Sequence, residues 1–171
     1  MRRTVIAAAA SVLLAATAQA EMAAPAASPT YGQPGVNLEQ ATKAIEAAVG
    51  EAQKNGWRMA VAVVSNSGFL VHFSKMDGTA FASIGIAQDK ARAAAMFQRP
   101  TKSFVDRVSG GGAGLAVLGL PGAIPSEGGI PLMADGKVLG AIGVSGATSA
   151  QDGQVAQVAV TAFEAIAKGS R

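Results

Sequence analysis

Along the chain the apolar positions change period several times, and each change marks an element boundary. Leu38, Ala41, Ile45, Ala48 and Ala52 recur at helical spacing and predict one apolar stripe on a helix from Leu38 to Asn55. Asn37 stands at the N-cap position, Gln40 completes a capping box, and Gly56 ends the helix as a C′ glycine. The stripe is mostly alanine, which suits close packing on a flat sheet. Arg58 to Ser65 and Phe69 to Lys75 are β-rich runs around Asn66-Ser67-Gly68, the pattern of a hairpin. Simple alternation puts Phe69, Val71 and Phe73 on one face and Leu70, His72 and Ser74 on the other. Ser83 is placed to cap a helix through Phe97, which Pro100 closes, and Thr101 to cap a short helix to Val108.

Beyond that point the composition shifts. Twelve of the 21 glycines fall between Gly110 and Gly146, so Gly110 to Glu127 reads as loop with one helical turn near Leu115. The runs GGIPLMA and KVLGAIGVSG flank Asp135-Gly136, a type I′ turn signal and hence a second hairpin. Thr148 or Ser149 caps a final helix to about Lys168, with Val155, Val158, Ala159, Ala162 and Ile166 as its inner face. The order helix, two strands, two helices, two strands, helix predicts an α+β fold. An antiparallel sheet flanked by helices is expected, not a parallel βαβ arrangement.

The first 20 residues, MRRTVIAAAASVLLAATAQA, have a basic start, an apolar run too short to span a bilayer, and an A-x-A site ending at Ala20. They read as a Sec signal peptide cleaved after Ala20, and predict a periplasmic, exported protein. Residues 21–35 carry three prolines among Ala, Ser and Gly and read as a flexible arm. Residues 36–171 then form one domain. Cleavage removes two arginines and leaves 12 basic against 11 acidic residues, a formal charge of +1. That balance gives no nucleic-acid footprint. No further segment is long and apolar enough for a membrane span, and the absence of cysteine excludes disulfides, thiolate metal sites and a lipid anchor.

The candidate chemistry is sparse. GGGAGLAVLG lacks the register and the strand–helix context of a phosphate loop, and GVSGA at 143–147 misses the final glycine of a nucleophile elbow. His72 is the one imidazole, either a hydrogen-bonded packing residue or an axial haem ligand. Glu127 precedes Gly128, Gly129, Ile130 and Pro131 at the entry to a strand, where glycine lets a ligand approach the backbone. A wide rigid turn explains the same residues equally well. Lys90 and Arg92 lie mid-helix, as a solvated face or, with Thr101, an anion-binding wall.

The segments LEQATKAIEAAVGEA, MAVAVVSNSGFLVHFSKMDG, AQDKARAAAMFQRPT and PSEGGIPLMADGKVLGAIGVSGATSAQDGQVA resemble the GlcG/HbpS family, a haem-binding or haem-degrading domain family. The resemblance implies a three-layer, profilin-like or Roadblock-like sheet with flanking helices. It also implies a homo-oligomer, often an octamer, and haem binding in some members. Lys90, Thr101, Asp152 and the Glu127 to Pro131 loop fall on positions matching the family pattern. An axial ligand is not carried over by any motif, so His72 is a candidate by side-chain type.

Three functional readings follow. The first is a periplasmic, oligomeric haem-binding protein, with a haem-sensing or haem-degrading accessory role. Its pocket lies near Phe97 to Ser103 and Ser126 to Pro131, with Met96, Phe97 and Ile130 against the macrocycle, and Lys90, Arg92 or Arg99 on the propionates. The second is a cofactor-free small enzyme or binding protein for a small organic acid, with Glu127 as general acid/base and the Gly128 and Gly129 amides stabilising an oxygen. The third is an assembly partner with no small ligand of its own.

Overall fold

A computed structural model describes residues 35–169; the expected signal peptide and the arm up to residue 34 lie outside the described residues. Helix α1 (Leu38–Lys54) starts as expected: Asn37 Oδ1 accepts from the Gln40 amide at 2.9 Å, and Gln40 Oε1 accepts from the Asn37 amide at 3.1 Å. Glu39 in its first turn and Lys54 in its last suit the helix dipole, and Gly56 (φ +70°) turns the chain away. Strands β1 (Ala60–Ser65) and β2 (Leu70–Lys75) form the first hairpin, and β3 (Gly129–Ala134) and β4 (Lys137–Ser145) the second. Asp135 and Gly136 both have positive φ, as a type I′ turn requires. The four strands make one antiparallel sheet in the order β2-β1-β4-β3, so β2 and β3 are its edges.

β1 is buried on both faces. Val61 and Val63 enter the larger core with α1 and helix α4 (Ser149–Gly169), while Ala60, Ala62 and Val64 meet helix α2 (Ala82–Phe97). The result is a three-layer α+β sandwich with α1 and α4 on one face and α2 on the other. Small residues set the spacing on the α2 side. A methyl on Gly143 would strike the Ala87 carbonyl and the Ala91 amide, so helix and sheet approach at backbone contact. Helix α3 (Lys102–Ser109) and the 3₁₀ helix Gly112–Gly119 add a small cluster of Phe104, Val117 and Ala93, with Phe97 edge-on to Phe104 at 5.1 Å. Among the described residues no helix is long and apolar enough to cross a membrane.

Local differences from the expected pattern have identifiable causes. Ser83 does not cap α2; it is buried, and the helix begins after Phe81. Thr101 does not cap α3, because its hydroxyl is engaged by Gly129 across the chain. A bulge beside Val63 and Val64 breaks the alternation of β2, so Val71 packs with α1 and α4 while Phe73 packs under α2. The inner face of α4 is Val155, Ala156, Ala159, Val160 and Phe163, with Val158, Ala162 and Ile166 only half-buried. Phe163, the bulkiest apolar side chain there, sets that phase. The glycine-rich loop contains two and a half turns of 3₁₀ helix, anchored by Val117, where one turn was expected.

Candidate functional site

The end of the α2–sheet–α4 sandwich at edge strand β3 is built around a buried ion pair. Lys90 on α2 is 1% exposed; its Nζ donates to Asp152 Oδ2 on α4 at 2.7 Å and to the Val144 carbonyl at 3.0 Å. Asp152 Oδ1 accepts from the Ala147 amide at 3.1 Å. Burial pushes the Asp152 carboxyl above the ordinary carboxylate range; the Lys90 ammonium and the amides of Ala147 and Gly146 oppose this without cancelling it.

The Glu127–Gly129 segment lies directly on this pair. A Cβ on Gly128, whose φ is +114°, would stand 2.5 Å from the Val144 carbonyl and 3.0 Å from Asp152 Cβ. One on Gly129 would stand 2.6 Å from Thr101 Cγ2 and collide with the Lys90 carbonyl. The two glycines are therefore demanded by packing from beneath, whatever approaches from above. Buried Thr101 ties the same segment to α3: its Oγ1 accepts from the Gly129 amide at 3.0 Å and its amide donates to the Gly129 carbonyl at 2.9 Å. The Gly129 N–H is thereby consumed, and the expected two-amide site for a substrate oxygen is not formed.

Above the glycines is a cleft of about 240 Å³ between the start of α3, the entry to β3 and the first turns of α4, walled by Pro100, Lys102, Glu127, Ile130, Gly153 and Gln157. Glu127 is fixed at both ends. Its amide donates to Ser149 Oγ at 2.7 Å, and its carboxylate lies over Gly153, where a Cβ would be 2.9 Å from Oε2. The side chain keeps 24% exposure, and Lys102 Nζ stands 3.7 Å from Oε1 while bonding Asp106 at 2.7 Å. That Asp106 contact is the main cause holding the Lys102 ammonium above its ordinary range.

The other candidates separate. Ile130 is half-buried on the cleft wall and Pro131 is buried opposite Ala141. Lys90 faces the interior and cannot pair with a ligand anion. Arg92 is exposed on α2, bonded to Asp89 at 3.1 Å and near the β1–β2 turn at Gly68, so no anion wall joins it to Thr101. Met96 is exposed, Phe97 is packed on Phe104, and Arg99 bonds the Phe97 carbonyl; none lines the Glu127 cleft. His72 is half-buried on β2, the opposite edge strand, with β1 and β4 between it and β3. One subunit therefore cannot join His72 to the Glu127 cleft. Sequence reasoning missed Lys102, Ser149, Gly153 and Gln157; the Lys102–Asp106 spacing and an early-helix glycine were the available signals.

His72 lies opposite Val63 and Ser74 opposite Val61, placing both on the α1 face of β2. Beside Ser74 an open groove of about 370 Å³ is walled also by Arg58, Lys75, Met76 and Gln53. His72, the one imidazole of the chain, would be the residue to hold a haem iron, but it is not among the residues that wall this groove, which also include Asp77. Lys75 Nζ donates to the Met76 carbonyl and lies over the Phe81 ring, and Arg58 donates to the Asp77 carbonyl. The Glu127 cleft offers neither an imidazole nor room for a macrocycle, being below the range of about 300–1,000 Å³ usual for drug-sized ligands. Among the described residues no three His, Cys, Asp or Glu side chains gather as a discrete metal site.

The architecture is thus that of a small α+β domain, with a half-buried histidine on one sheet edge and a carboxylate cleft on the other. The chain belongs to the HbpS-like family, whose model, described as haem degrading protein HbpS-like, matches residues 36–161. Protein GlcG of Escherichia coli K12 is 41% identical over 110 residues, covering 64% of this chain and 81% of that protein. The crystal structure of a Streptomyces reticuli HbpS double mutant is similar at TM-score 0.69 and 32% identity, covering 81% of this chain and 96% of that one. The crystal structure of a PduOC–haem complex is similar at TM-score 0.68 and 27% identity, covering 75% and 94%.

Proposed function

We propose that the protein is an exported, periplasmic haem-binding protein that works as a homo-oligomer. The reading rests on one observation: the fold matches a relative crystallised with haem, and on that fold this chain's sole imidazole sits half-buried on an open edge strand. The groove beside β2 is open and shallow, so haem there would keep one face uncovered within a single subunit. Phe69, Leu70 and Phe81, all exposed at or near that edge, give a second copy an apolar surface to cover. When bound, haem supplies the redox-active iron; the protein's part is to present the His72 imidazole and exclude water from one face.

The test is haemin titration of the mature chain, followed by absorbance and by size-exclusion chromatography with light scattering. A saturable Soret band on a multi-subunit species supports the reading; no saturable band refutes it. N-terminal sequencing of the periplasmic fraction, expected to begin at Glu21, tests the export proposal.

A further inference from the structure

We propose that the cleft between Glu127 and Lys102 binds a small α-amino acid, independently of any haem on the opposite sheet edge. A helix-interior glycine costs about 1 kcal/mol relative to alanine, and in α4 a Cβ at Gly153 would stand 2.9 Å from Glu127 Oε2 and 3.3 Å from its Cβ. The carboxylate is thus seated against the helix and turned into a cleft. Its nearest cation, Lys102, is 3.7 Å away and already bonded to Asp106, leaving the carboxylate open to a further donor.

Charge selects the class. The charged groups lining the cleft are one carboxylate, Glu127, and one ammonium, Lys102, so a simple carboxylate anion satisfies Lys102 alone and meets Glu127 as a like charge. A simple amine satisfies Glu127 and leaves Lys102 unused. A zwitterion meets both, its ammonium on Glu127 and its carboxylate toward Lys102 and the Gly128 N–H, which has no protein acceptor among the described residues. Size selects within the class. At about 30 Å³ per water, 240 Å³ holds about eight waters, and hence an amino acid as small as alanine or serine. Pro100 and Ile130 form the apolar wall for its side chain.

Isothermal titration of the mature protein with L-alanine, L-serine, L-lactate and ethanolamine tests this. Saturable binding of alanine or serine is expected, with lactate and ethanolamine at least tenfold weaker. Glu127→Gln should weaken alanine binding at least tenfold and Lys102→Met several-fold, with thermal melting and haemin uptake as in wild type. Absence of saturable binding by both amino acids, lactate binding as tightly as alanine, or wild-type alanine affinity in Glu127→Gln would each overturn the proposal. Haemin uptake is read separately, so failure here leaves the haem reading standing or falling on its own data.

Discussion

Replacing Asp152 with alanine removes the support beneath the cleft. At 2.7 Å and an effective dielectric near 20, the Lys90–Asp152 attraction is about 6 kcal/mol before desolvation. Burial takes back most of that, as the upward displacement of the Asp152 carboxyl indicates. The intact pair therefore contributes little net stability, but losing one member strands a buried ammonium and frees two backbone amides. Asp152→Ala should cost about 3–5 kcal/mol. The paired replacement Lys90→Met with Asp152→Leu strands no charge and should stay within about 2 kcal/mol of wild type. Urea unfolding at fixed protein concentration, followed by the fluorescence of Trp57, the only tryptophan, reports both, since Trp57 packs against the α1–α4 core. A cost below about 1 kcal/mol for Asp152→Ala, or a double variant as unstable as the single one, would refute this account of the pair.

Other outcomes follow from the same geometry. Because folded Asp152 keeps its proton to higher pH than the unfolded chain, whose carboxyl titrates near 3.8, the folded state binds more protons in that interval. Wild-type stability relative to Asp152→Asn should be greatest below that value and fall as pH rises through the folded one; urea midpoints that climb with pH instead would contradict it. Gly128→Ala meets the Val144 carbonyl and Asp152 at a positive φ and should cost roughly 2–4 kcal/mol, whereas Gly136→Ala meets open space and should cost about 1 kcal/mol from φ alone. Equal melting temperatures for the two would be inconsistent with the packing described. Thr101→Val leaves the buried Gly129 amide without an acceptor and should lower stability by about 1–3 kcal/mol in the same urea assay.

The elements were legible in the sequence wherever one local signal decided them. The Asn37–Gln40 capping box, Gly56 and the Asp135-Gly136 turn act within a few residues and appear as read. What failed depended on partners distant in the chain. Thr101 looks like a cap until Gly129, 28 residues on, claims its hydroxyl. Lys90 looks like a solvated charge until Asp152, 62 residues on, meets it in the interior. The Glu127 loop was visible as a candidate, but its glycines answer to contacts beneath them, and Lys102 and Gly153 join it only through tertiary folding. Whether His72 faces the Glu127 pocket is not legible from spacing, which does not reveal strand order; the sheet puts the two on opposite edges.

The most direct test of that division is a haemin titration of His72→Ala and Glu127→Gln beside wild type, reading the Soret band. A saturable band lost in His72→Ala and retained in Glu127→Gln is the predicted result. A band retained in His72→Ala, or lost in Glu127→Gln while that variant still folds, would contradict a haem site on the β2 edge.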